Sequence, residues 1–85
     1  MFINKSSDGK NNLCGGIVAA RRKELGYSQR ELADQLQLIG LDVDKNAIQR
    51  IEAGLRFVTD IEISYLAQAL GLSISQLFQP KINTK

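Results

Sequence analysis

Apolar residues recur along this chain at the three- and four-residue spacing of helices, and no stretch alternates as a strand would. Five helical segments follow from that spacing. The first covers about 13–25: Cys14, Val18, Arg22 and Leu25 share a stripe, with Ile17 and Arg21 beside it. Gly15 and Gly16 weaken its opening turns, and Gly26 can take the left-handed conformation that ends it. The second opens on a capping box, Ser28 with Glu31, and buries Leu32, Ala33 and Leu36. It runs to about 38 or 39 and stops at Gly40.

The third segment, about 45–53, follows Asp44, an N-cap whose negative charge suits a helix start. It ends at Gly54. The fourth has a capping box, Thr59 with Glu62, a core stripe of Ile63, Leu66, Ala67 and Leu70, and a stop at Gly71. The fifth has a third box, Ser73 with Gln76. It is expected to bury Ile74, Leu77 and Phe78 before Pro80 ends it. Caps, stripes and stops agree with one another, which is what a sequence specifying one fold shows. The expected fold class is all-α: a compact five-helix domain over 12–79, a flexible polar leader over 1–11 and a tail over 80–85.

The third segment carries the candidate chemistry. On a helical wheel Ala47, Ile48, Ile51 and Glu52 share one side. Asn46, Gln49, Arg50 and Ala53 share the other, with Lys45 at the first turn. Any surface helix has a polar outer face, so this could be a solvated surface and no more. Two features point further. The outward set holds no acid, and its amides and guanidinium match the bidentate edges of adenine and guanine in the major groove. The segment is also short and directly follows another short helix, as groove entry requires.

Gln29 and Arg30 stand at the start of the second helix, where free backbone N–H groups favour a phosphate. Arg56, in the loop after the third helix, is a candidate for a second phosphate contact. Arg22 and Glu52 are charges on faces that should be half buried, where an unpaired charge is costly. The economical solution is that they pair and tie the first helix to the third.

Charge sharpens this picture only by its placement. The net charge of +2 over 85 residues permits a nucleic-acid partner but is no strong basic footprint. Nine of the eleven Lys and Arg residues fall within 1–56, so one side of the domain should be basic and the other neutral. Cys14 is alone and histidine is absent, so no internal disulfide, metal site or cofactor is expected, and Cys14 reads as a small core residue. No apolar run reaches membrane-spanning length and no signal-peptide pattern opens the chain, which makes the cytoplasm the expected compartment. An enzyme is not expected either. There is no histidine, no carboxylate pair facing one cleft and no phosphate loop, and Glu31 and Asp34 read as cap and surface.

The runs RRKELGYSQRELADQL, NAIQRIEAG and ISYLAQALGLSISQLF resemble the helix-turn-helix domain of lambda repressor and Cro-like (XRE) bacterial transcription regulators. The resemblance covers about 13–79. It implies a five-helix fold whose third helix enters the major groove. By position, Gln29 matches the glutamine that contacts the DNA backbone or a base edge. Lys45, Asn46 and Arg50 match base-reading positions, Arg22 and Glu52 the salt bridge between helices 1 and 3, and the region of Arg56 the phosphate-contacting loop.

One departure is the longer turn QLIGLDVD, which is expected to extend the second helix by a turn and bend at Gly40, with Leu41 and Val43 packed beneath. The resemblance also implies a homodimer on double-stranded DNA. Phe57, Ile61, Tyr65 and Ala69, with Val58, are the candidate dimer surface. Alternatively Phe57 and Val58 fold back and only Tyr65 shows. The expected function is a sequence-specific regulator acting as a repressor. The alternative is a protein-binding module on the same fold, such as an antitoxin.

Overall fold

The computed structural model describes residues 9–78. The leader expected over 1–11 therefore lies outside the described residues as far as residue 8, as does the expected tail over 80–85 with Pro80. Among the described residues the chain forms five helices and no strand: α1 (Gly15–Glu24), α2 (Gln29–Ile39), α3 (Lys45–Glu52), α4 (Asp60–Leu70) and α5 (Ile74–Leu77).

Local chemistry accounts for where these helices begin. Ser28, Thr59 and Ser73 each accept a hydrogen bond from the amide three residues on, and the side-chain oxygens of Glu31, Glu62 and Gln76 each accept one from the cap's own amide. All three boxes thus satisfy donors that a helix start leaves free. Asp44 caps α3 by accepting from the Ala47 amide at 2.9 Å.

The helices close around one core. Cys14, Val18, Leu32, Leu36, Ile48, Ile51, Leu66, Leu70 and Leu77 are fully buried. Burial pushes the Cys14 thiol up to about 11, so it stays a neutral, packed group. Arg21 adds a long-range tie by donating its Nε–H to the Leu70 carbonyl at 2.9 Å, which serves the end of α4 from α1.

Three burial expectations are corrected. Ile74 and Phe78 are exposed, because α5 is a single turn of four residues and a single turn presents one side chain, Leu77, to the core. Leu25 is exposed as well, since α1 stops at Glu24 and the chain turns away from the stripe. The sequence marks Gly15 as a weak point in α1. It is instead the place where α1 meets the backbone of α3: a Cβ there would collide with the Ile51 carbonyl oxygen.

The long turn between α2 and α3 is built as expected at Gly40, which has φ +114° and follows Ile39. Leu41 N–H returns to the Leu36 carbonyl at 2.9 Å, Val43 is buried and Leu41 half-buried. Gln37 Nε2 donates to the Val43 carbonyl at 2.7 Å and so ties the turn to α2. The Tyr65 ring lies over Gly40, so α4 covers the turn from the other side.

Candidate nucleic-acid interface

α3 is anchored by its back and open at its front. Ile48 and Ile51 are buried, with Ala47 half-buried beside them. Lys45, Asn46, Gln49 and Arg50 are all exposed. None of these four side chains makes a hydrogen bond or ion pair within the described residues. The C-terminal end is closed by a Schellman motif. Leu55 N–H bonds the Arg50 carbonyl at 2.9 Å, and Gly54 N–H bonds the Ile51 carbonyl at 3.0 Å, with Gly54 at φ +78°.

The expected pair between α1 and α3 is present. Arg22 donates to Glu52 through Nε at 2.6 Å and Nη2 at 3.0 Å. Its Nη1 donates to the Tyr27 carbonyl at 2.8 Å. The Glu52 carboxylate raises the Arg22 pKa further above its ordinary value, so the guanidinium stays charged. Glu52 Oε1 also accepts from Gln29 Nε2 at 3.0 Å. The side chain of Gln29 thus faces inward, onto the end of α3, where the sequence suggested an outward phosphate contact. The amides of Gln29 and Arg30 stay at the open start of α2, since Ser28 takes the amide of Glu31.

Arg56 is also placed differently from expectation. Both of its η nitrogens donate to Glu62, at 2.9 and 2.8 Å. That bidentate pair raises the Arg56 pKa and holds the Glu62 carboxyl below the usual range. A phosphate would have to compete with Glu62 for it. Arg30, in contrast, is exposed and has no such partner among the described residues. With Ala33, Asp34, Gln37, Asp44 and Lys45 it lines an open groove of about 370 Å³ between α2 and the start of α3.

The suggested dimer surface divides. Phe57 and Ile61 are strongly exposed, with Leu55 nearby in sequence also open. Val58, Tyr65 and Ala69 are half-buried against the core. Neither sequence alternative fits completely: Val58 folds back, Phe57 does not, and Tyr65 is largely spent on covering Gly40.

Two asparagines escaped the sequence reading. Asn12 Nδ2 donates to the carbonyls of Ile51 at 3.1 Å and Arg56 at 2.8 Å, while its Oδ1 accepts from Gly15 N–H at 2.9 Å. Asn11 N–H donates to the Gly54 carbonyl at 2.8 Å, and Asn11 Nδ2 to the Leu55 carbonyl at 3.0 Å. An asparagine just before a helical stripe is a recognisable cap signal, which would have found the bond to Gly15. No local signal announces the bonds to 51–56.

Two successive short helices, the second with a buried back and an open amide-and-guanidinium front, define a helix-turn-helix protein. The chain belongs to the helix-turn-helix family of XRE-type transcription regulators: the family model described as "Helix-turn-helix" matches residues 18–77. Among solved structures, a hypothetical transcription factor, NHTF, from Neisseria is similar, with 26% identity and a TM-score of 0.70 over 80% of this chain and 72% of that one. The restriction-modification controller protein C.AhdI from Aeromonas hydrophila shares 30% identity with a TM-score of 0.66, over 75% of this chain and 86% of that one. The clp gene regulator ClgR from C. glutamicum, at 23% identity and a TM-score of 0.66 over 76% and 78% of the two chains, shares the fold. No curated protein matches the sequence. No helix among the described residues is long and apolar enough to cross a membrane.

Proposed function

We propose that this protein is a sequence-specific, double-stranded DNA-binding regulator that reads the major groove with α3 and acts as a repressor. The observation that carries the reading is the division among its arginines. Arg21, Arg22 and Arg56 are spent on internal carbonyls and carboxylates, whereas Arg50 and Arg30 stand exposed on α3 and α2 without ion pairs among the described residues. Asn46, Gln49 and Arg50 read base edges, with Lys45 at the entry of the helix. Arg30 and the first amides of α2 hold a phosphate. Gln29 supports this by bracing Glu52, and Arg56 joins in only where a phosphate displaces Glu62.

The protein works without catalysis, in the cytoplasm, and as a homodimer on paired half-sites, with exposed Phe57 and Ile61 as the self-association surface. The test is selection of bound duplexes from a random pool with the full chain. A palindromic consensus is expected. Arg50→Ala should then weaken that site by about 1–3 kcal/mol and relax preference at one base pair. An Arg50→Ala variant that binds every sequence as the wild type does would remove α3 from the role of reader.

A further inference from the structure

The backbones of α1 and α3 touch where α1 begins. Gly15 leaves no room for a Cβ against the Ile51 carbonyl oxygen, and the Glu52 carbonyl is close by at 3.2 Å from that same position. Asn12 sits at this contact, half-buried. Its amide makes three hydrogen bonds to backbone: one to the first amide of α1, one to the Ile51 carbonyl in the last turn of α3, and one to the Arg56 carbonyl in the loop beyond. Asn11 adds bonds to the Gly54 and Leu55 carbonyls. Together the two residues serve carbonyls at the end of α3 and in the loop just beyond it, the Ile51 carbonyl being shared with Gly54 N–H.

We propose that Asn12 is a positioning residue for DNA readout, which aims Gln49 and Arg50 by clasping the end of α3 to the start of α1. The inference rests on the proposed groove-reading role of α3. Asn12 reads no base itself. α3 is only eight residues long and its front side chains have no partners among the described residues, so their aim depends on how its two ends are held. Asp44 holds the first end. Arg22 and Asn12 hold the second, and they act on different groups. Arg22 grips a side chain of α3, whereas Asn12 grips its main chain beside Arg50. Base contacts need side chains held to within about 0.5 Å by rigid support, and a main-chain clasp supplies that support.

The test compares full-length wild type, Asn12→Ser and Leu77→Val by fluorescence anisotropy, on the selected site and on an unrelated duplex. Asn12→Ser keeps an acceptor for the Gly15 amide and removes the donors to Ile51 and Arg56. Leu77→Val loosens the core on α5, so it controls for stability alone. Each protein is measured well below its own melting temperature, read by circular dichroism.

For Asn12→Ser, affinity for the selected site is expected to fall roughly ten-fold, the size of one lost base contact. Binding to the unrelated duplex should hold within about two-fold, because phosphate contacts carry it. Leu77→Val should leave the ratio of the two affinities unchanged. If Asn12→Ser leaves that ratio intact, or if Leu77→Val lowers it equally, Asn12 is merely structural. A wild type with no preferred site would overturn the groove-reading role itself, and the proposal with it.

Discussion

Replacing Glu52 with alanine should destabilise the fold far more than removing both members of its ion pair. The Arg22 and Glu52 side chains are 11% and 8% exposed, so neither can turn to water without moving α3. Arg22 makes three hydrogen bonds, and Glu52→Ala removes two of them while leaving the charge in place. Gln29 Nε2 loses its acceptor as well. Breaking a buried pair from one side costs about 3–5 kcal/mol, because the remaining charge is uncompensated. A small domain is stable by roughly 5–15 kcal/mol, so this is a large share. At about 4–8 °C per kcal/mol, the melting temperature should fall by roughly 12–24 °C for a loss of about 3 kcal/mol.

In the double variant Arg22→Met with Glu52→Leu no orphaned charge remains, and each new apolar side chain stands on a helix whose buried face already holds Val18 or Ile48 and Ile51. It should be more stable than Glu52→Ala. The assay is urea unfolding followed by circular dichroism, with the midpoint falling at constant slope. A single-variant loss below about 1 kcal/mol, the size for an exposed pair, would refute the reasoning. So would a double variant less stable than the single one.

Adjacent glycines should respond in opposite directions. Gly15→Ala forces a Cβ into the backbone of α3 and should cost about 1–3 kcal/mol. Gly16→Ala, with nothing within 4 Å, should be neutral or stabilise by about 0.5–1 kcal/mol; equal melting shifts for the two would refute the crossing at Gly15. Acid should act through Glu62. Arg56 holds its carboxyl below the ordinary value of 4.5, so its contribution to stability is complete above that value and is lost as pH falls through the lower folded value. Unfolding followed from pH 6 to 2 should therefore show a shallower acid loss in Glu62→Gln, and an unchanged slope would count against the pair. Relief of Arg56 can be read separately: Glu62→Gln should tighten binding to unrelated duplexes at low salt, because it frees a cation for phosphate. Unchanged non-specific affinity would show that Arg56 does not reach DNA.

Helix identity and order, and the capped starts of α2 to α5, were legible in the chain because they are settled locally. A capping box needs residues three apart, and Ser28 with Glu31 or Thr59 with Glu62 satisfies amides that lie within one turn. The pair of Arg22 with Glu52 was legible for a different reason: two opposite charges each lay on an apolar stripe, and burial left them few alternatives. The open front of α3 followed from the same periodicity that hid Ile48 and Ile51.

What tertiary structure decided was where the elements cross and which polar groups meet there. The bonds of Asn12 reach 39 and 44 positions along the chain, a distance over which no spacing rule operates. Gly15 looks like a helix weakness until α3 lies against it. Arg56 reads as a free cation until α4 brings Glu62 beside it, and Tyr65 reads as open surface until Gly40 lies beneath it. Ile74 and Phe78 read as core until α5 proves to be one turn long. The physical reason is common to all of these. Local free energy selects the helices, but burial and hydrogen bonding between distant segments depend on how whole helices pack, and that packing assigns each exposed or paired side chain its role.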